Sequence, residues 1–214
     1  MSSGSVNANS KAALDKAAKL EALKEILETY DPNSGTGLFD AVLEEKKSQV
    51  RKRALKLLDY RARSHAELKQ RLLDLEFPET IIDAVITDLS SAGLLDDRLF
   101  ATEWVRQRSA RRGKSRRVLN HELQKKGISK SLRDAALAQI SDSDEFALAQ
   151  RLAHKKANSI KTIPEDYPSK QKELRKIVGV LARRGFPEGL SLQVGREALD
   201  ERISELENSE ELKE

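Results

Sequence analysis

Apolar residues recur along this chain at helical spacing. Leu14, Ala17, Ala18, Leu20, Leu23 and Leu27 form a stripe of i, i+3, i+4 type, which predicts an N-terminal amphipathic helix. The stripe stops before Asp31-Pro32-Asn33-Ser34-Gly35-Thr36-Gly37, whose breaker residues read as a linker. A second run, from about Leu38 to Tyr60, carries Val42, Val50, Ala54, Leu57 and Leu58. Ser64 then stands where an N-cap is expected, with Glu67 three residues on to complete a capping box.

Laid over itself, the pattern repeats. With Phe77-Pro78 over Ile128-Ser129 and Phe186-Pro187, Arg63-Ser64 falls on Lys114-Ser115. Leu68 falls on Leu119 and Ile177, Leu72 on Leu123 and Leu181, and Ile81 on Leu132 and Leu190. Each block reads as a Leu-rich helix, a break, and another helix. Gly127 and Gly185 mark two of the breaks, because glycine takes the left-handed conformation after a last turn and the apolar residue beyond folds back. Ser129, Pro78 and Pro187 favour starting the next helix. Glu76 stands in the glycine position of the first block, and a left-handed glutamate costs about 1 kcal/mol, so that helix is expected to end differently. A further helix precedes each pair, at 52–62, 98–110 and 145–156.

The expected fold is therefore all-α: an elongated, curved array of three tandem three-helix repeats with an N-terminal helical extension. The boundaries are 1–45 for the extension, 46–95, 96–141 and 142–200 for the repeats, and 201–214 for an acidic tail. A polar, proline-containing loop, 158–169, lies inside the third repeat, and the end of the tail is expected to fray. Units this small bury little alone and must pack on their neighbours.

Composition agrees. Charged residues make up 35% of the 214, and glycine and proline are too few for a turn-rich or disordered chain. The absence of cysteine removes disulfides, thiolate catalysis and Cys-ligated metals. The start, MSSGSVNANS, has no secretory pattern and no apolar run suffices to span a membrane, so a cytoplasmic protein is expected. The formal charge of +4 hides a segment of +9 at 46–126 between ends of −4 at 1–45 and −4 at 201–214. Its densest part is Arg106 to Arg117, RQRSARRGKSRR, with seven basic residues in twelve and no acid. Guanidinium forks suit phosphate, so contact with a polyanion or an acidic partner is expected there. At 4% the aromatic content disfavours base stacking and leaves phosphates as the points of any DNA contact.

Other motifs have plain structural readings. Asp96-Asp97 is taken as a helix cap and dipole partner rather than a metal or acid/base pair. Phe100 and Trp104, four apart, are read as core residues, and Asp142-Ser143-Asp144-Glu145 as an N-cap rather than a calcium loop. His65, His121 and His154 share no ligand spacing. Gly113 reads as a C-cap that also exposes backbone N–H groups near Lys114, Ser115, Arg116 and Arg117 as a phosphate site. No phosphate loop and no nucleophile–base arrangement is present, so neither an enzyme nor a cofactor is expected.

Residues 61–73 (RARSHAELKQRLL), 93–108 (GLLDDRLFATEWVRQR), 111–128 (RRGKSRRVLNHELQKKGI) and 181–186 (LARRGF) resemble the RecX family of recombination regulators, over about residues 50–200. The resemblance implies a curved array of three three-helix repeats that lies in the groove of the RecA–single-stranded-DNA filament. It implies restraint of filament growth, ATP hydrolysis, strand exchange and coprotease activity, and hence of DNA repair and the SOS response. On that reading the contact set is Arg106, Arg108, Arg111, Arg112, Lys114, Arg116 and Arg117, with Lys125, Lys126, Arg183 and Arg184 as secondary members. The partners are the RecA filament and, through phosphates, single-stranded DNA, bound weakly by a monomer on its own. Two alternatives stay open: a free-standing DNA-binding protein of helix-turn-helix type, and a protein–protein scaffold.

Overall fold

The structure, a computed structural model, describes residues 19–21, 24 and 41–211. Among the described residues nine helices have both ends defined, and there is no strand. They are α1 (Ala41–Tyr60), α2 (His65–Leu73), α3 (Glu79–Ser91), α4 (Asp97–Arg112), α5 (Arg116–Lys125), α6 (Lys130–Leu137), α7 (Asp142–Ala157), α8 (Tyr167–Ala182) and α9 (Glu188–Glu211). Taken in threes, they are the tandem repeats expected from the sequence. Most of the N-terminal stripe and the linker at 31–37 lie outside the described residues. Lys19, Leu20 and Glu21 are helical, and Leu20 is buried.

The chain divides into two compact units. One runs to Phe100 and takes in Lys126–Ile128; the other comprises Ala101–Lys125 and the chain from Ser129 on. In the first, Val50, Ala54, Leu55 and Leu58 of α1 join Leu68 and Leu72 of α2 and Ile82, Val85 and Leu89 of α3 in one core, which Leu20 also enters. In the second, Ala149 and Ala153 of α7, Ile177 and Leu181 of α8 and Val194 and Leu199 of α9 form another. Leu68, Leu119 and Ile177 are all buried, as are Leu72, Leu123 and Leu181, so the superposed leucines occupy equivalent core positions. Ile81 is buried, whereas its counterparts Leu132 and Leu190 are half-buried.

The helix ends follow local chemistry. Ser64 caps α2 in a capping box with Glu67, and Ser129 caps α6. Asp96 Oδ1 accepts from the N–H groups of Arg98 (2.7 Å) and Leu99 (3.0 Å), the expected cap of α4. Asp97 instead accepts from the backbone N–H of His65 at 2.9 Å and so ties the start of α4 to the start of α2. Ser141, not Asp142, caps α7, because its hydroxyl pairs with Asp144 in a second capping box. The segment read as a loop at 158–169 turns helical at Tyr167, with Asp166 as cap and Pro168 in the first turn. The tail does not fray at Glu207: α9 continues through Glu211, and Ile203 and Leu206 pack on the second core, extending the helix's apolar face.

The expectation for Glu76 is overturned. It adopts φ +61, like Gly93, Gly127 and Gly185. Its N–H donates to Leu73 O at 2.8 Å, and Phe77 N–H lies 3.5 Å from Leu72 O. This is the Schellman pattern that Gly185 and Phe186 make with Ala182 and Leu181. Phe77, packed against the first core, enforces the turn, and the tertiary contact outweighs the local preference. Relieving the strain by Glu76→Gly is expected to stabilise the chain by about 0.5–1 kcal/mol after the flexibility glycine adds to the unfolded state. Chemical denaturation, read at constant m-value, measures it.

Two junctions connect helices from successive repeats, one within each compact unit. In the first, Ser64 Oγ donates to Lys126 O at 2.6 Å, and Gly127 lies so close to Ala66 that a side chain there would overlap it. In the second, Ser115 N–H donates to Arg184 O at 3.0 Å, and a Cβ at Gly185 would overlap Val118 and stand 2.9 Å from Ser115 Oγ. Ser64 corresponds to Ser115, and Lys126-Gly127 to Arg184-Gly185, in the frame of the repeat. Both serines are fully buried. The glycines thus serve two ends at once, a left-handed helix stop and a close approach to the start of a helix one repeat earlier.

A candidate polyanion-binding surface

The densest basic stretch becomes the last two turns of α4, a break at Gly113, and the first turn of α5. Arg111 and Arg112 lie in the last turn of α4, where cations complement the helix dipole. Gly113 at φ +60 ends the helix, its N–H donating to Ser109 O at 3.0 Å. The hydrogen bond from Ser115 N–H to Arg184 O brings the Arg183-Arg184 break against this turn.

The eleven basic residues expected at the site divide sharply. Trp104 and Glu122 hold two of them, Arg108 and Lys114, in a compact cluster. Trp104 Nε1 donates to Glu122 at 2.9 Å, the Arg108 guanidinium stacks 3.6 Å above the indole centroid, and Lys114 pairs with Glu122. Arg108 Nε also stands 3.7 Å from Glu122. Burial disfavours the charge on Glu122, but Lys114, Trp104 and Arg108 outweigh it and hold the carboxyl below its ordinary range. Trp104 is half-buried rather than a core residue like Phe100, and Arg108 covers a face of its ring.

Arg116 is equally committed. It grips Glu145 through Nε at 2.7 Å and through its backbone N–H at 2.8 Å, and it pairs with Asp142. Those carboxylates, Glu145 first, raise its pKa further above the ordinary arginine value. Lys126 pairs with Glu67 at 2.5 Å and faces the Phe100 ring. Arg184 donates to Val180 O and keeps Nε buried beside Gly113. Arg106 is exposed but bonds Glu103 at 2.8 Å, and that contact first of all lowers the Glu103 pKa.

What remains is Arg111, Arg112, Arg117, Lys125 and Arg183. All five are exposed, and among the described residues their side chains form no hydrogen bond or ion pair. Arg111, Arg112, Arg117 and Arg183 belong to the segments joined at the α4–α5 turn. Lys125 stands at the far end of α5, roughly 13 Å away along the helix.

Three of the four backbone N–H groups expected to offer a phosphate site at Gly113 are taken up within the protein. The N–H of Lys114 turns to Arg108 O, that of Ser115 to Arg184 O and that of Arg116 to Glu145. These three donors are satisfied within the protein, so an anion here meets mainly side chains. Among the described residues no group of acidic or histidine side chains could hold a metal, and no helix is long and apolar enough to cross a membrane.

Residues 51–89 match the description "RecX, first three-helix domain", and residues 96–137 match "RecX, second three-helix domain". A regulatory protein RecX from Corynebacterium efficiens is 51% identical over 196 residues, which cover 90% of this chain and 93% of that protein. The regulatory protein RecX of Streptomyces coelicolor is 34% identical over 160 residues, 75% of this chain and 82% of its own. The crystal structure of RecX from Lactobacillus salivarius superposes with a TM-score of 0.62 at 27% identity, over 73% of this chain and 98% of that one.

Proposed function

Because the chain belongs to the RecX family of regulatory proteins, we propose that it regulates the RecA recombinase by binding the RecA–single-stranded-DNA filament. On this reading it restrains recombinase, ATPase and coprotease activities, and so tempers DNA repair and the SOS response. It acts in the cytoplasm as a monomer, with no reaction of its own.

The observation that carries this reading is the group of unpaired arginines on segments joined at the α4–α5 turn: Arg111, Arg112, Arg117 and Arg183. A guanidinium held by a neighbouring carboxylate must lose that partner before it binds another; an unpaired one does not. Exposed, they attract phosphates or acidic side chains over about 10 Å at ordinary salt. Arg108, Lys114 and Arg116 are instead committed to Glu122 and Glu145 within the protein.

The test is a time course of ATP hydrolysis by RecA on single-stranded DNA, with the chain added midway at a substoichiometric amount. The rate is expected to fall after the addition. An unchanged rate, accompanied by tight binding to DNA without RecA, favours a free-standing DNA-binding protein instead.

A further inference from the structure

We propose that the solvent face of α1, formed by Lys52, Arg53, Lys56 and Tyr60, is a separate contact for single-stranded nucleic acid, with Tyr60 stacking on a base. Val50, Ala54, Leu55 and Leu58 bury one face of this helix. At about 100° per residue, Lys52, Arg53, Lys56 and Tyr60 fall on the opposite side, Lys52, Lys56 and Tyr60 being spaced i, i+4, i+8. All four are exposed, and among the described residues the three cations make no ion pair or hydrogen bond.

Of the acids that flank the stripe, one is neutralised by a cation from another segment and one bonds a neutral amide. Asp59 is paired with Lys24 at 2.7 Å, and Glu45 accepts from Gln49 at 3.3 Å. With Asp59 neutralised by Lys24 and Glu45 about two turns before Lys52, the three cations keep a net positive field. Tyr60 ends it, and at 85% exposure it is the most exposed large hydrophobic side chain described.

Two features favour a single strand over a duplex or an acidic protein. A row of cations along a helix neutralises successive phosphates, and an exposed ring at its end offers a π-face that only an unpaired base can reach. The ring has no packing role that explains its place. Low overall aromatic content excludes a broad stacking platform but not one stacked base at the end of an electrostatic track. The site lies in the first compact unit, whereas the unpaired arginines lie in the second. It does not depend on RecA, so its test uses DNA alone and can fail while the RecA reading stands.

The experiment is fluorescence anisotropy of a labelled oligo(dT) with the full-length chain, repeated across a salt series. Tyr60→Ala is expected to weaken binding about tenfold, while Tyr60→Phe, which keeps the ring, binds as the parent does. Changing Lys52, Arg53 and Lys56 to alanine is expected to reduce the slope of log K against log salt by about 2, at about 0.7 per phosphate. Parent-like affinity in both the Tyr60→Ala and the triple variant overturns the proposal. So does a loss confined to the triple variant, which leaves an electrostatic face of the kind an acidic protein uses. Helical circular dichroism checks that these exposed changes leave the fold intact.

Discussion

A chain in which Arg111, Arg112, Arg117 and Arg183 are all alanine is expected to fold normally and to lose most of its hold on the RecA–single-stranded-DNA filament. None of the four side chains has a partner to abandon among the described residues, so the folded state loses little. The binding term is larger. If each arginine neutralises one phosphate, counterion release contributes about 0.7 to the salt slope per contact, and four contacts amount to roughly a hundredfold in affinity at about 0.2 M salt. The variant should leave RecA ATPase at its uninhibited rate at concentrations where the parent suppresses it, with a thermal midpoint close to that of the parent. Inhibition equal to the parent's sinks the assignment of the surface.

Arg116→Ala supplies the contrast. It leaves Glu145 partly buried without its guanidinium and frees Asp142, so its effect falls on stability rather than on binding per folded molecule. Among the variants of this region, the exposed arginines and Arg116 should therefore separate cleanly: one set changes salt-dependent affinity, the other changes the melting temperature.

That separation was not legible in the sequence. RQRSARRGKSRR holds no acid, and its seven cations read as one uncompensated run. The carboxylates that neutralise part of it arrive from elsewhere: Glu122 along α5, and Asp142 and Glu145 at the start of α7. Local counting cannot foresee partners brought in by folding. The repeat was legible because it is written in local chemistry, in leucines at helical spacing and stops followed by an apolar residue. Glu76 marks the edge of that legibility. Propensity argued against a left-handed glutamate, yet the same pair of hydrogen bonds forms there as at Gly185, because Phe77 is drawn into the core. The junctions were only half visible. A glycine at a helix end announces its backbone conformation, but not that Ala66 or Val118 will press on the missing side chain from about sixty positions away.

Those glycines are where a single methyl group should do most damage. Gly185→Ala places its Cβ into Val118 and near Ser115 Oγ, at φ +82. The left-handed conformation costs about 1–2 kcal/mol, offset in part by the stiffer unfolded chain. The overlap adds about 1–3 kcal/mol, because the colliding Cγ2 belongs to Val118, a short β-branched side chain that is stiff at χ1 and has little freedom to swing aside. Opening the junction also strains the hydrogen bond from Ser115 N–H to Arg184 O, worth about 1 kcal/mol. The expected loss is about 3–4 kcal/mol, a large share of the stability of an ordinary domain. Gly127→Ala, facing Ala66, should behave alike. Gly93→Ala is the control: it shares the positive φ, at +70, but has nothing within 4 Å of a Cβ, so only the conformational cost of about 1 kcal/mol applies. Val118→Ala tests the cause directly. Combined with Gly185→Ala it removes the colliding methyl groups, so the double variant should be less destabilised than the two single changes predict together. Denaturation of the parent, the two single variants and the double variant measures that coupling, and strict additivity shows that Gly185 is required for its backbone angle alone.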